Sequence, residues 1–214
     1  MRSIIDTAGQ VAPPARTKPL GTHIRSATQQ RCQDAHRRSC TMGKIIFYEG
    51  HDFQGRYYEC TSDCMDTFQH FSSCNSIRVM GGNWVLYEKP HYRGYQYVLN
   101  PGQYSHFHSW AGFSNCIRSC RLFPPYRGSY RMRLYHRPHL MGHYMDLTDD
   151  CPSMYERFHC HDVCSCHVTE GYWVFYEHPN YRGRQYFLWP GEYRTCRDWG
   201  SYNTMVGSCR RVWM

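Results

Sequence analysis

The densest collection of reactive side chains is the run "FHCHDVCSCHV", residues 158–168, which holds His159, Cys160, His161, Cys164, Cys166 and His167. Imidazole and thiolate are ligands for Zn²⁺ or Cu⁺. The spacing argues against a dedicated site. The chain has no CxxC pair, and extended backbone would send Cys160, Cys164 and Cys166 to one face and His161 and His167 to the other. His159, Cys160, Cys164 and Cys166 remain candidates for incidental metal binding only. Nucleophilic catalysis is no better supported. "GFSNC", residues 112–116, is not a GxSxG elbow. Asp149 and Asp150 in "LTDDCPSM" read as a turn or helix cap rather than an acid pair. The chain is expected to be no enzyme and to carry no cofactor.

The elements that would position these residues are announced by a repeat. An aromatic is followed seven residues later by glycine four times: Tyr48 and Gly55, Tyr87 and Gly94, Tyr135 and Gly142, Tyr176 and Gly183. A short alternating run follows each glycine ("RYYEC", "YQYVL", "HYMDL", "RQYFL"), the pattern of a strand with one buried face. Each unit later carries a serine in a common setting: Ser76, Ser119, Ser165 and Ser208. Glycine at such a point permits positive φ in a sharply folded hairpin. The leading aromatic can cover that fold. The serine hydroxyl can satisfy backbone groups that the bend leaves unpaired.

The four units pair into two larger copies offset by 89 residues, as in Trp84 and Trp173, Trp110 and Trp199, and Tyr104 and Tyr193. Four units of about 40 residues with turn residues between short strands predict an all-β chain of two homologous domains. The predicted domains are residues 43–123 and 129–214, joined by a stiff, proline-containing linker at 124–128.

Bulk composition narrows the function. No apolar run approaches the ~20 residues of a membrane span, and no signal-like segment opens the chain, so a soluble, cytoplasmic protein is expected. Thirteen cysteines are an odd number, which favours free thiols over a disulfide framework. The net charge of +8 is concentrated in residues 1–42, which carry +5. The remainder has no basic face to follow a phosphate backbone, so nucleic-acid binding is not expected. Residues 1–42 are rich in Pro, Arg, Gln and Ser and poor in large apolar residues. They are expected to be a disordered extension, either dispensable or the product of an upstream start with Met42 as a natural start codon; an Arg-rich, acid-poor targeting peptide is the alternative, against which the apolar residues show little helical periodicity.

Residues 43–214 resemble the vertebrate βγ-crystallin family, and specifically its γ-crystallins. The four correlated units, the linker "FPPYRGS", and the segments "NYRGRQYFL" and "MVGSCRRV" carry the resemblance. Richness in Met, Tyr and Cys with few Lys is similar to the aquatic γM branch. The resemblance implies two β-sandwich domains, each of two intertwined Greek-key motifs. It implies a monomeric lens-fibre protein that provides refraction and transparency, with other crystallins as weak partners. It further implies an apolar contact between domains, with Val85, Val98 and Phe123 matched to Val174, Phe187 and Val212. Trp84, Trp110, Trp173 and Trp199 would be buried chromophores that dissipate ultraviolet light, or simply core filling. Some βγ-domains outside the lens bind calcium. The windows ending at the four serines ("FSSCNS", "SNCIRS", "CHDVCS", "NTMVGS") lack the paired oxygen ligands of that motif. A calcium- or metal-binding βγ-domain is the alternative reading, and sugar stacking on Trp189 and Trp213 is a third.

The composition suits the optical reading. Aromatic rings, sulfur and guanidinium groups are polarizable, and arginine stacks on aromatic faces better than lysine. Of 25 basic residues, only Lys18, Lys44 and Lys89 are lysine. "YRG" at 92–94 and 181–183 and "RRVW" at 210–213 offer local Arg–aromatic pairs. Tyr104 and Tyr193 could form tyrosine corners.

Overall fold

The computed structural model describes residues 43–160 and 162–212. Residues 1–42, His161 and Trp213, on which several expectations fall, lie outside them.

The first half contains strands β1 (Lys44–Tyr48), β2 (Tyr57–Cys60), β3 (Ser76–Gly81), β4 (Asn83–Lys89), β5 (Arg93–Leu99), β6 (Gly102–Tyr104) and β7 (Ser119–Phe123). The second contains β8 (Arg131–Arg137), β9 (Met141–Leu147), the short helix α1 (Met154–Phe158), β10 (Ser165–Glu170), β11 (Trp173–His178), β12 (Arg182–Leu188), β13 (Gly191–Tyr193) and β14 (Ser208–Arg211). All the strand pairings are antiparallel.

The units of each half are interlaced. One sheet runs β2-β1-β3-β6, so β6 from the second unit closes the sheet of the first. Conversely, Cys64 of the first unit bridges to Cys120 on β7. The second half repeats this: β13 joins β10 in the sheet β13-β10-β8-β9, and Cys151 bridges to Cys209 on β14. The third sheet, β14-β11-β12-β5-β4-β7, spans both halves. Its crossing point is the single register pair Gln185 and Gln96. This continuity places both halves in one unit, Cys40–Met214.

Strand alternation explains where the apolar residues go. On β4, Trp84 and Leu86 enter the core of the first half, while Val85 and Tyr87 face the second half. On β11, Trp173 and Phe175 enter the other core and Val174 faces back. These strands therefore read as nearly continuous apolar runs, because both of their faces are covered.

One detail departs from the sequence expectation. The strand at the Cys/His run begins at Ser165, while α1 ends at Phe158 and His159 caps it with φ 53°. Face alternation therefore applies to Cys166 and His167 alone, and of the candidate cysteines only Cys166 is fully buried in the core. The cap of α1 is Ser153, whose side chain accepts from Glu156 N. Asp149 and Asp150 instead hold Arg211, at 3.0 Å each.

Candidate functional site: folded hairpins and the contact between the halves

The four folded hairpins share one geometry. Gly55, Gly94, Gly142 and Gly183 have φ of 81–82°. Two preceding non-glycine residues also lie in the left-handed region: Asp52 and Phe53, His91 and Tyr92, His139 and Leu140, Asn180 and Tyr181. Such backbone persists only where surroundings over-determine it. The serines supply that determination. Ser76 Oγ accepts from Phe53 N at 2.9 Å and donates to Gly50 O at 2.6 Å. Ser119 links Tyr92 N (3.0 Å) to Lys89 O (2.7 Å), and Ser165 links Leu140 N (3.0 Å) to Arg137 O (2.5 Å). Ser208 does the same for Tyr181 N (2.9 Å) and His178 O (2.7 Å). All four serines are fully buried, and each hydroxyl satisfies two backbone groups of its bend. In three units the leading tyrosine packs edge-on against the aromatic five residues on: Tyr48 with Phe53, Tyr87 with Tyr92, and Tyr176 with Tyr181. In the remaining unit, Leu140 takes the aromatic's place and Tyr135 meets Tyr144.

Trp84, Trp110, Trp173 and Trp199 are all buried, two in each half. Trp84 Nε1 donates to Gly81 O and Trp173 Nε1 to Glu170 O. Trp110 Nε1 and Trp199 Nε1 have no hydrogen-bond partner among the described residues. Tyr104 and Tyr193 tie their arches: Tyr104 donates to Asn100 O and Tyr193 to Trp189 O.

Between the halves lies a separate apolar cluster of Val85, Tyr87, Phe123, Val174 and Phe187, flanked by Val98, Tyr172, Trp189 and Val212. The six residues matched by the offset of 89 thus gather here, together with aromatics that the offset alone did not single out. Two glutamines bracket the cluster. Phe187 N donates to Gln96 Oε1 at 2.8 Å, and Gln96 Nε2 donates to Trp199 O at 3.2 Å. Val98 N donates to Gln185 Oε1 at 3.3 Å. Arg184 stacks on Tyr95 and donates to its hydroxyl at 2.9 Å.

Arginine–aromatic stacking is widespread, but not within the local "YRG" segments. Arg121, from a neighbouring strand, lies 4.8 Å from Tyr92 and 5.0 Å from Trp189, while Arg210 lies over Tyr181. Arg78 covers Phe53 at 4.1 Å. Sheet pairing brings side chains from adjacent strands face to face, whereas neighbours in one strand diverge.

The family model described as Beta/Gamma crystallin matches residues 44–123 and again 131–212. The chain belongs to the β/γ-crystallin family. Gamma-crystallin M2 of Chiloscyllium indicum is 60% identical over 171 residues, covering 80% of this chain and 97% of that protein. Gamma-crystallin-1 of Xenopus laevis is 57% identical over 172 residues, covering 80% and 98%. Gamma-crystallin B of Homo sapiens is 56% identical over 171 residues, covering 80% and 98%.

In this β/γ-crystallin the polar side chains near the four serines are largely occupied. Asn75 Nδ2 donates to Glu49 O, and Asn115 Nδ2 donates to Asn75 Oδ1. Asp162 accepts from Thr204 Oγ1. Among the described residues no three His, Cys, Asp or Glu side chains converge as a metal site. Trp189, suspected of stacking on sugars, packs edge-on against Phe123, Tyr172 and Phe187.

The β/γ-crystallin thiols form pairs that sequence reasoning did not single out. Cys120 donates its thiol to Cys60 at 3.9 Å, which draws Cys60 down to about 7 while Cys120 is pushed up. Hydrogen bonding from Cys209 likewise draws Cys151 down to about 7, and Cys209 rises. The 89-residue offset of Cys120 and Cys209 was the available signal.

Proposed function

We propose that this protein is a γ-crystallin-type structural constituent of the eye lens, providing refractive index and transparency. The observation that carries this is near-full-length identity of 56–60% to gamma-crystallins, over both domain copies. The physical design agrees. Its rings, sulfur and stacked guanidiniums concentrate polarizable matter, and short hairpins locked by buried serines resist unfolding over long times. The role is structural rather than catalytic. No helix among the described residues is long and apolar enough to cross a membrane. The working state is a cytoplasmic monomer in lens fibre cells, meeting other crystallins through weak surface contacts.

The domains are 43–123 and 129–214 around a linker at 124–128, and the four serine-locked hairpins are the units that set the fold. The four buried tryptophans serve as the ultraviolet-absorbing core. Quantitative mass spectrometry of lens fibre extract against other tissues tests the function. High abundance restricted to lens supports it, and absence from lens overturns it. Light scattering at lens-like concentration tests the monomer with weak attractions; a defined dimer overturns that part.

A further inference from the structure

A groove of about 450 Å³ opens beside the apolar contact between the two halves. This lies within the range of small-molecule sites, about 300–1,000 Å³. Its walls include Tyr92, Phe187, Trp189 and Tyr202, and its cations are Arg93, Arg121 and Arg197. Tyr202 is 89% exposed, a large aromatic on the rim with no packing role. The Arg121 guanidinium carbon lies 4.8 Å from the Tyr92 ring centroid and 5.0 Å from that of Trp189, so its place is set in advance. Its Nε meets Asp63 at 3.4 Å, and its terminal amino groups have no partner among the described residues. Arg93 and Arg197 make no ion pair or side-chain hydrogen bond among the described residues, although both line the groove. The carboxylate lining the groove, Asp198, is already engaged: its Oδ2 accepts from Arg194 N (2.7 Å) and Thr195 N (2.9 Å).

The 89-residue repeat supplies an internal control. The matching groove across the pseudo-twofold holds about 270 Å³ and is lined by Val98, Asn100, Tyr176 and Arg210. There, Asn100 stands for Trp189 and Val98 for Phe187, and Arg210 is paired with Asp150 at 3.5 Å. The larger groove thus joins Trp189 and Tyr202 to the unpaired Arg93 and Arg197, whereas both arginines of the smaller groove, Arg210 and Arg211, are ion-paired.

We propose that the larger groove binds a small planar aromatic carboxylate. Its ring stacks against Trp189 and Tyr202, and its carboxylate accepts from Arg93 and Arg197 and from the terminal amino groups of Arg121. Guanidinium matches a carboxylate in two parallel hydrogen bonds, which orients the ring as well as holding the charge.

The test uses 2-naphthoate with the full chain, followed by amide NMR and calorimetry. Two controls separate the contributions: 2-naphthylmethanol keeps the ring without charge, and cyclohexanecarboxylate keeps the charge without the ring. The expected result is one site, with shifts confined to the groove and affinity at least about tenfold above either control. Trp189→Asn, which installs the residue of the matching position, and Arg121→Gln each weaken binding about tenfold or more. Tyr202→Ser, at an exposed site that cannot compromise folding, weakens it by a smaller factor, and Arg210→Gln leaves it unchanged. Equal binding of either control, shifts centred elsewhere, indifference to Tyr202→Ser and Arg121→Gln, or no saturation by about 1 mM overturns the proposal.

Discussion

The two flanks of the contact between the halves occupy equivalent positions and are filled differently. One flank carries Phe123, Tyr172, Phe187 and Trp189; the other carries Val212, Asn83, Val98 and Asn100 at the matching places. On the first flank the rings interlock, Phe123 lying 4.7 Å from Phe187 and 5.4 Å from Tyr172. Arg121 then closes over Trp189. On the second flank Arg210 meets one ring, Tyr181; each arginine also pairs with an aspartate, Arg210 with Asp150 and Arg121 with Asp63. The backbone frame remains the same, since each half presents β4 or β11 with the same alternation. Duplication therefore supplies a symmetric platform, and a few side-chain differences decide which side carries the interlocked rings and which carries small apolar and amide side chains.

The comparison breaks most visibly at its largest ring. Phe123→Ala removes a fully buried side chain and is expected to cost about 3–5 kcal/mol. Val212→Ala, its partner position at the half-buried edge, should cost about 1 kcal/mol. Guanidinium denaturation distinguishes them, and the first variant should also separate the unfolding of the two halves. Equal losses would mean that the flanks are energetically equivalent.

The glutamines give the next contrast. Gln96 uses both ends of its amide, whereas Gln185 accepts one longer bond. Gln96→Glu loses the donor to Trp199 O and buries a charge, so it should destabilise at pH 7 by about 2–3 kcal/mol, and more than Gln185→Glu. Burial would raise the new carboxyl's folded-state pKa. The penalty is thus full above that raised value and fades as pH falls toward the ordinary carboxylate range. Thermal denaturation at pH 7 and pH 4 reads this directly; a penalty that grows on acidification contradicts it.

Away from the contact the halves should behave alike. Ser119→Ala and Ser208→Ala each strand a buried N–H and C=O beside strained backbone. Each should cost about 1–3 kcal/mol, and the two losses should agree within about 0.5 kcal/mol. A marked inequality would show that the flank asymmetry spreads into the hairpins. Smallest of all, Arg121→Gln should cost about 0.5–1 kcal/mol through lost stacking, while Arg210→Gln costs less because one ring is involved. Chemical denaturation of both, with Lys variants as charge-preserving controls, resolves the stacking part.

Much of this is legible in the sequence. The alternating runs after each glycine specify strands, and the offset of 89 specifies two homologous halves. Gly183 could be assigned a positive φ from its place in the repeat. The left-handed backbone at Asn180 and Tyr181 could not, since neither residue type demands it. That backbone is held by Ser208, which stands 28 and 27 residues further along the chain. In the Cys/His run, face alternation holds only from Ser165, and the cap at His159 leaves no compositional mark that would show it.

The sequence by itself determined the all-β character, the four units, their pairing and the apolar positions of the contact. These follow from local periodicity, which is a property of the chain's own neighbours. Only the tertiary structure decided which aromatics meet which arginines, which thiols pair, and which of two equivalent grooves remains open. Those outcomes depend on residues far apart in sequence and brought together by sheet pairing, and no local pattern encodes that distance.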